Sequence, residues 1–239
     1  MAFLDIKGVS KRFGGLMALS DVDMQVEKGE IFGLMGANGA GKTTLFSVIA
    51  GHVAPTTGEV VFDGQRLTGL SPSRVCRLGL CRTFQIVRPF AGLSVAENLR
   101  VAALYGSGRK LTSTEVAAVV DDALEAVDLT DRRDLDGGQL TLSGQKRLEI
   151  ARALATGARL VMLDEVMAGL NPTEISAMLT TLERLRTERG LTFVIVEHVI
   201  GALMTLSDRI LVLDHGERIA FGTPEEIGNH DRVAEVYFG

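Results

Sequence analysis

The sequence contains no tryptophan, few aromatic residues of any kind (5%) and only two cysteines in 239 residues. The shortage of aromatics argues against an aromatic-rich β-sandwich. Two cysteines cannot make a disulfide framework, and Cys76 and Cys81 fit no metal motif, so they read as free thiols of a reducing compartment. No long run of Lys or Arg occurs, and the net charge is −5 from 25 basic and 30 acidic residues. That removes the basic footprint on which non-specific nucleic-acid binding depends. An uninterrupted apolar span is also missing. The most apolar long stretch, residues 191–213, carries Glu197, His198, Asp208 and Arg209, each costly in lipid. It reads as strand, helix, strand within a packed core. The opening Met1-Ala-Phe-Leu-Asp5 shows no signal-peptide pattern.

Glycine, in contrast, is plentiful at 27 residues, in a composition 46% hydrophobic and 23% charged. This suits an α/β protein with many tight strand-to-helix turns, and the length fits one large domain or a domain with an inserted lobe. Short apolar segments alternate with longer helical patterns, as in a mostly parallel sheet covered on both faces. Residues 3–9, 20–26 and 59–62 differ: they are short strand candidates split by polar turns, with Asp63-Gly64 after the last. They predict a small antiparallel layer at the edge of the core. Residues 86–155 read as mostly helical, with Thr112 and Glu115 forming a capping box. Beyond them, Asn171-Pro172-Thr173-Glu174 caps a helix whose buried face is predicted at Ile175, Leu179, Leu182 and Leu185. Thr223-Pro224-Glu225-Glu226 opens a final helix.

A strand at 31–35 runs into Gly36-Ala37-Asn38-Gly39-Ala40-Gly41-Lys42-Thr43, which matches G-x-x-x-x-G-K-[ST], and a helix follows from Lys42 through Thr44 to about residue 50. Glycines let the backbone curl so that its N–H groups converge on phosphate oxygens, and the helix N-terminus adds a favourable dipole. Lys42 is expected to reach the β- and γ-phosphates, and the Thr43 hydroxyl to ligate Mg²⁺. Some 120 residues on, the apolar strand at 160–163 ends in Asp164-Glu165. Strand C-termini in a parallel sheet face the ligand crevice. Asp164 is therefore a candidate holder of Mg²⁺ opposite Thr43, and Glu165 a candidate general base for the attacking water. His198 follows the next strand, 193–196, and is a candidate γ-phosphate contact.

Together these residues resemble the ATPase subunits of ABC transporters over essentially the full length. Phe84-Gln85 stands at the Q-loop, Leu148-Glu-Ile-Ala-Arg-Ala-Leu154 resembles the helix after the signature, Ala168-Gly-Leu-Asn171 the D-loop and His198 the switch histidine. The Arg12-Phe-Gly-Gly15 and Arg82-Thr-Phe-Gln85 runs look most like the ATPases of branched-chain amino acid importers. The resemblance implies an α/β fold: a P-loop NTPase (RecA-like) core with an N-terminal antiparallel β layer and an inserted helical subdomain. The nucleotide-binding core would take 1–85 and 156–239, and the helical subdomain 86–155. It further implies that Phe13 stacks on adenine, unless it is a core residue, and that Gln85 approaches Mg²⁺ and the water.

Two features depart from the family. Its Leu-Ser-Gly-Gly-Gln signature is replaced by Leu140-Thr-Leu-Ser-Gly-Gln145, and Asn171 replaces the usual D-loop Asp. An ungapped register puts Thr141 at the signature serine with Ser143 and Gly144 just after; a gapped one reads Leu142-Ser-Gly-Gln and needs a two-residue deletion. Thr141 is preferred because a hydroxyl at a helix start can bond a phosphate. By resemblance the chain would bind ATP and Mg²⁺ and pair with a second ATPase subunit, of the same chain or a paralogue. It would dock on membrane permease subunits at the inner face of the cell membrane, serve a substrate-binding protein indirectly and bind no nucleic acid. Arg88 and Phe90 are candidates for the membrane contact. The alternative, an ABC-type ATPase of DNA repair or translation, usually brings long coiled coils or a second ATPase half, and neither is present.

Overall fold

The computed structural model describes residues 2–83, 89–90 and 92–238. The chain forms two compact units, one from Met1–Pro72 with Thr192–Gly239 and the other from Ser73–Leu191. In chain order the first unit opens with β1 (Leu4–Phe13), β2 (Leu16–Val26), β3 (Ile31–Gly36), α1 (Lys42–Ile49), β4 (Thr57–Phe62) and β5 (Gln65–Arg66). The second unit holds α2 (Pro72–Arg77, its first residue at the boundary), β6 (Leu80–Arg82), α3 (Val95–Gly106), α4 (Ser113–Ala126), α5 (Leu142–Ala155), β7 (Leu160–Asp164) and α6 (Pro172–Arg189). The chain returns to the first unit through β8 (Thr192–Val196), α7 (Ile200–Leu206), β9 (Arg209–Asp214), β10 (Glu217–Gly222), α8 (Pro224–Gly228) and α9 (Asp231–Phe238).

The predicted antiparallel layer is present in the order β2-β1-β4-β5. Its strands are longer than their apolar cores suggested, because polar residues on one side can face water while Leu4, Ile6, Val9, Val22 and Met24 are buried on the other. The first unit's second sheet runs β10-β9-β3-β8, with β3 parallel to both β8 and β9. All residues of β3 and β8 are buried, as expected for strands covered on both faces. At the start of these strands the Arg209 guanidinium forks onto Glu30 (2.6 and 2.7 Å), and the Ile31 amide donates to the Asp208 carboxylate at 2.9 Å. Those bonds leave the opposite ends of the parallel strands for other work.

In the second unit β6 and β7 pair in parallel, and α3, α4 and α5 pack on one another. The unit is wider than the helical stretch alone, since β6, β7 and α6 belong to it. Capping boxes close α3 (Ser94 with Glu97), α4 (Thr112 with Glu115) and α6 (Asn171 with Glu174). The buried face of α6 is Met178, Thr181, Leu182 and Leu185, so the predicted pattern is partly displaced: Ile175 and Leu179 are only half buried. The spacing 178, 182, 185 forms one helical stripe, and Leu179 lies about 100° round from Met178. Among the described residues no helix is long and apolar enough to cross a membrane.

Asn171 explains its own presence here, because its carboxamide oxygen accepts the Glu174 amide at 3.0 Å, a task Asn and Asp do equally well. Asn171→Ala is expected to cost about 1 kcal/mol in urea denaturation, and Asn171→Asp about nothing.

Candidate functional site

The loop between β3 and α1 is built around two close approaches. Gly36 (φ 155°) ends the buried strand where a Cβ would meet the Leu213 carbonyl oxygen at 2.6 Å. Gly41 (φ 105°) passes the Ala18 carbonyl oxygen, which a Cβ would meet at 2.8 Å. Neither position admits a side chain without displacing backbone. Helices α3, α4, α5, α6 and α8 start on a side-chain cap; like α7, the helix that follows this loop does not. Gly41 is its N-cap, no side chain caps it and its first turn carries no acidic residue. A helix start with no side-chain cap and no acidic residue presents its amides and its dipole in the way that suits an anion.

Lys42 is nearly buried, and its ammonium donates to the carbonyls of Gly36 (2.5 Å) and Ala37 (2.9 Å). The charge is thus folded back into the loop. Thr43, Asn38 and Gly39 are exposed, Ala37 and Thr44 half buried and Ala40 buried. His198 is exposed two residues past the end of β8. Because Leu34 registers with Val196, the chain at 197–198 leaves the sheet level with Gly36 and the start of the loop. Phe13, at the end of β1, is 48% exposed, with the Lys11 ammonium 4.8 Å over its ring, so it is a surface aromatic and no part of the core.

In the second unit, β7 is buried throughout and ends at Asp164. The Asp164 carboxylate takes a 2.7 Å ion pair from Arg82, both side chains under a tenth exposed. Its backbone amide donates to the Thr83 hydroxyl at 3.2 Å, and the Thr83 amide donates to Met162 O at 2.9 Å. The strand end is thereby tied to β6 on both backbone and side chain. Glu165 follows with φ 54°, a left-handed conformation that few non-glycine residues adopt. Its carbonyl accepts a 2.7 Å bond from the ammonium of Lys146, a buried residue of α5. Neither Arg82 nor Lys146 was assigned a role from sequence. No local pattern could have assigned one, since Arg82 lies 82 residues before its partner.

Thr141 is the N-cap of α5, its hydroxyl accepting the Gly144 amide at 3.2 Å, with Ser143 in the first turn. Thr141, Ser143 and Gly144 line a cleft of about 260 Å³ with Arg132 and Arg147. Arg147 is already paired with Asp128 at 2.8 Å. Gln85, with Phe84 and Arg88, lies outside the described residues. Within the first unit the exposed Thr43 hydroxyl is an oxygen donor of the kind a hard cation takes, and within the second the Asp164 carboxylate is another. No group of three or more His, Cys, Asp or Glu that could cage a metal occurs among the described residues. Single hydroxyl and carboxylate donors are of the type Mg²⁺ uses, since it keeps waters and leans on substrate phosphates.

A buried strand, a glycine loop folded round a lysine and an uncapped helix define a P-loop α/β protein. The particular family follows from comparison with known proteins. The ABC transporter family matches residues 19–168, and the chain belongs to that family. The high-affinity branched-chain amino acid transport ATP-binding protein BraF of Pseudomonas aeruginosa is 37% identical, covering 99% of this chain and 97% of its own. LivG of Escherichia coli K12, described in the same words, is 38% identical over the same shares. A solved ATP-binding cassette of an ABC transporter superposes with a TM-score of 0.90 at 29% identity over the whole of both chains. A dimeric cassette in a post-hydrolysis state, bound to ADP and Pi, gives 0.81 at 25%, covering 92% of this chain and 98% of that one.

Removing one partner of a buried ion pair strands the other charge. Arg82→Ala should destabilise the protein by about 3–5 kcal/mol, measured by denaturant unfolding, whereas an Arg at the exposed Arg218 position should cost under about 0.5 kcal/mol on truncation.

Proposed function

We propose that this chain is the ATP-binding and ATP-hydrolysing subunit of an ABC importer for branched-chain amino acids. The observation that carries the reading is the uncapped start of α1, with Lys42 turned into the glycine loop, in a chain alike end to end with BraF and LivG. A triphosphate would satisfy the first amides of α1 and draw Lys42 off the carbonyls of Gly36 and Ala37. Phe13 would offer its exposed face to the adenine. Thr43 and Asp164, with Gln85, would hold Mg²⁺, which when bound neutralises charge on the phosphate oxygens.

Glu165 would act as general base, taking a proton from the attacking water, and His198 would contact the γ-phosphate. The left-handed backbone at Glu165 is consistent with that duty, since strained residues cluster where geometry is functional. Thr141, Ser143 and Gly144 at the start of α5 would meet the nucleotide of a second ATPase subunit, and the dimeric cassette with ADP and Pi supports such pairing in the family. In this reading residues 1–85 and 156–239 work as the nucleotide-binding core and 86–155 as the moving helical lobe. The pair would sit on permease subunits at the cytoplasmic face of the membrane, and a substrate-binding protein would deliver the amino acid.

Lys42→Ala removes two charge-assisted bonds to phosphate, about 3 kcal/mol or more, so the Kd for ATP should rise at least ~100-fold in equilibrium binding. Wild-type affinity would contradict the phosphate assignment. Glu165→Gln should retain ATP binding while kcat falls by about 10²-fold or more, the usual contribution of a general base. Near-normal turnover would reject that role.

A further inference from the structure

The two cysteines read as independent thiols in the sequence, yet the fold brings them together. Cys76 lies on α2 and Cys81 on β6, and their sulfurs are 3.3 Å apart. Cys81 is buried, with the Thr156 hydroxyl 3.1 Å from its sulfur, while Cys76 is only half buried. Both line an open cleft of about 330 Å³ within the second unit. Arg82 and Arg152 line it as well, Arg82 paired with Asp164 and Arg152 stacked over the Phe90 ring, with Glu149 beside them. We propose that Cys76 and Cys81 form a thiol–disulfide exchange site that takes a small disulfide of the oxidised-glutathione class, with Cys76 as the attacking and Cys81 as the resolving thiol.

The electronics of the pair agree with that division. The hydrogen bond from Cys81, helped by the Arg77 guanidinium, lowers Cys76 to about 7, while the same bond and burial raise Cys81. A thiol with a pKa near ambient pH is the best attacker in exchange. The Cys76 thiolate attacks one sulfur of the visiting disulfide, forming a mixed disulfide and expelling one thiolate. Cys81 then gives up its proton and attacks the Cys76 sulfur, expelling the second. The two protein thiols are oxidised to one disulfide, the visitor is reduced to two thiols, and the protons end on the departing thiolates.

Closing the sulfurs from 3.3 Å to about 2.05 Å requires movement at Cys76, at Cys81 or at both. Cys81 is followed in the chain by Arg82, which holds the Asp164 carboxylate in an ion pair, and Thr83, whose hydroxyl accepts the Asp164 amide. Movement taken up at Cys81 therefore acts on Asp164 from behind. This consequence rests on the ATPase reading above; the exchange chemistry does not.

The test treats the full-length reduced protein with oxidised glutathione, followed by peptide mapping and intact mass. A 76–81 linkage is expected, with Cys81→Ser accumulating a glutathione adduct on Cys76 and Cys76→Ser left unmodified. Alkylation of Cys76 in Cys81→Ala should rise with pH, and in the wild type its midpoint should lie near 7. No linkage in a folded wild type, or an adduct on Cys76 that never resolves, overturns the site. ATP turnover of the linked protein should fall about tenfold and return with reductant, the loss typical when an outer partner of a metal-holding carboxylate is disturbed. Unchanged turnover in the linked protein refutes the coupling to Asp164. Absence of turnover in the reduced protein would count against the ATPase reading and leave the exchange result standing.

Discussion

A helix that begins without a cap leaves its first amides to be satisfied by something outside the helix, and α1 is such a helix. Four other helices, α3, α4, α6 and α8, close their starts with a hydroxyl or amide side chain and a returning glutamate. The chain can therefore build caps readily and does not do so at Gly41, nor at the seven-residue α7, which no glycine loop precedes. In place of a carboxylate there is Lys42, whose ammonium is held by two loop carbonyls. A positive charge at a helix N-terminus is electrostatically unfavourable by itself, so the arrangement is poised for an anion.

The rest of the structure supports that poise or prepares the chemistry that follows it. Buried strands β3 and β8 run parallel, and the Arg209 fork with Glu30 ties the start of β3 to that of β9. Their other ends deliver the loop and His198 on the same side of the first unit. The second unit carries the acids, and it spends two buried cations on them: Arg82 on the Asp164 carboxylate and Lys146 on the Glu165 carbonyl. Buried ion pairs rarely add net stability, because desolvation offsets the Coulomb gain. Their value here is positional. They hold a carboxylate and a strained backbone in one arrangement.

Legibility in the sequence followed range. The glycine loop, the capping boxes at Thr112 and Asn171 and the apolar strand before Asp164 are local patterns, and each could be read from a few adjacent residues. The antiparallel layer was visible through alternation and turn residues, though β1 and β2 extend past their apolar cores. What could not be read is tertiary. Arg82 and Asp164 are 82 positions apart, and nothing near either residue announces the other. Cys76 and Cys81 are close in sequence, yet only the reversal between α2 and β6 brings their sulfurs into contact. On α6, Leu182 and Leu185 are buried as their spacing predicts, while Met178 takes the place expected for Leu179 and Ile175 is half buried.

The most direct measurement is a structure of the wild-type protein with Mg²⁺ and a non-hydrolysable ATP analogue. The account predicts triphosphate oxygens on the amides at the start of α1, with the Lys42 ammonium moved from the Gly36 and Ala37 carbonyls onto them. A nucleotide bound elsewhere, with Lys42 still held by its own loop, would contradict it.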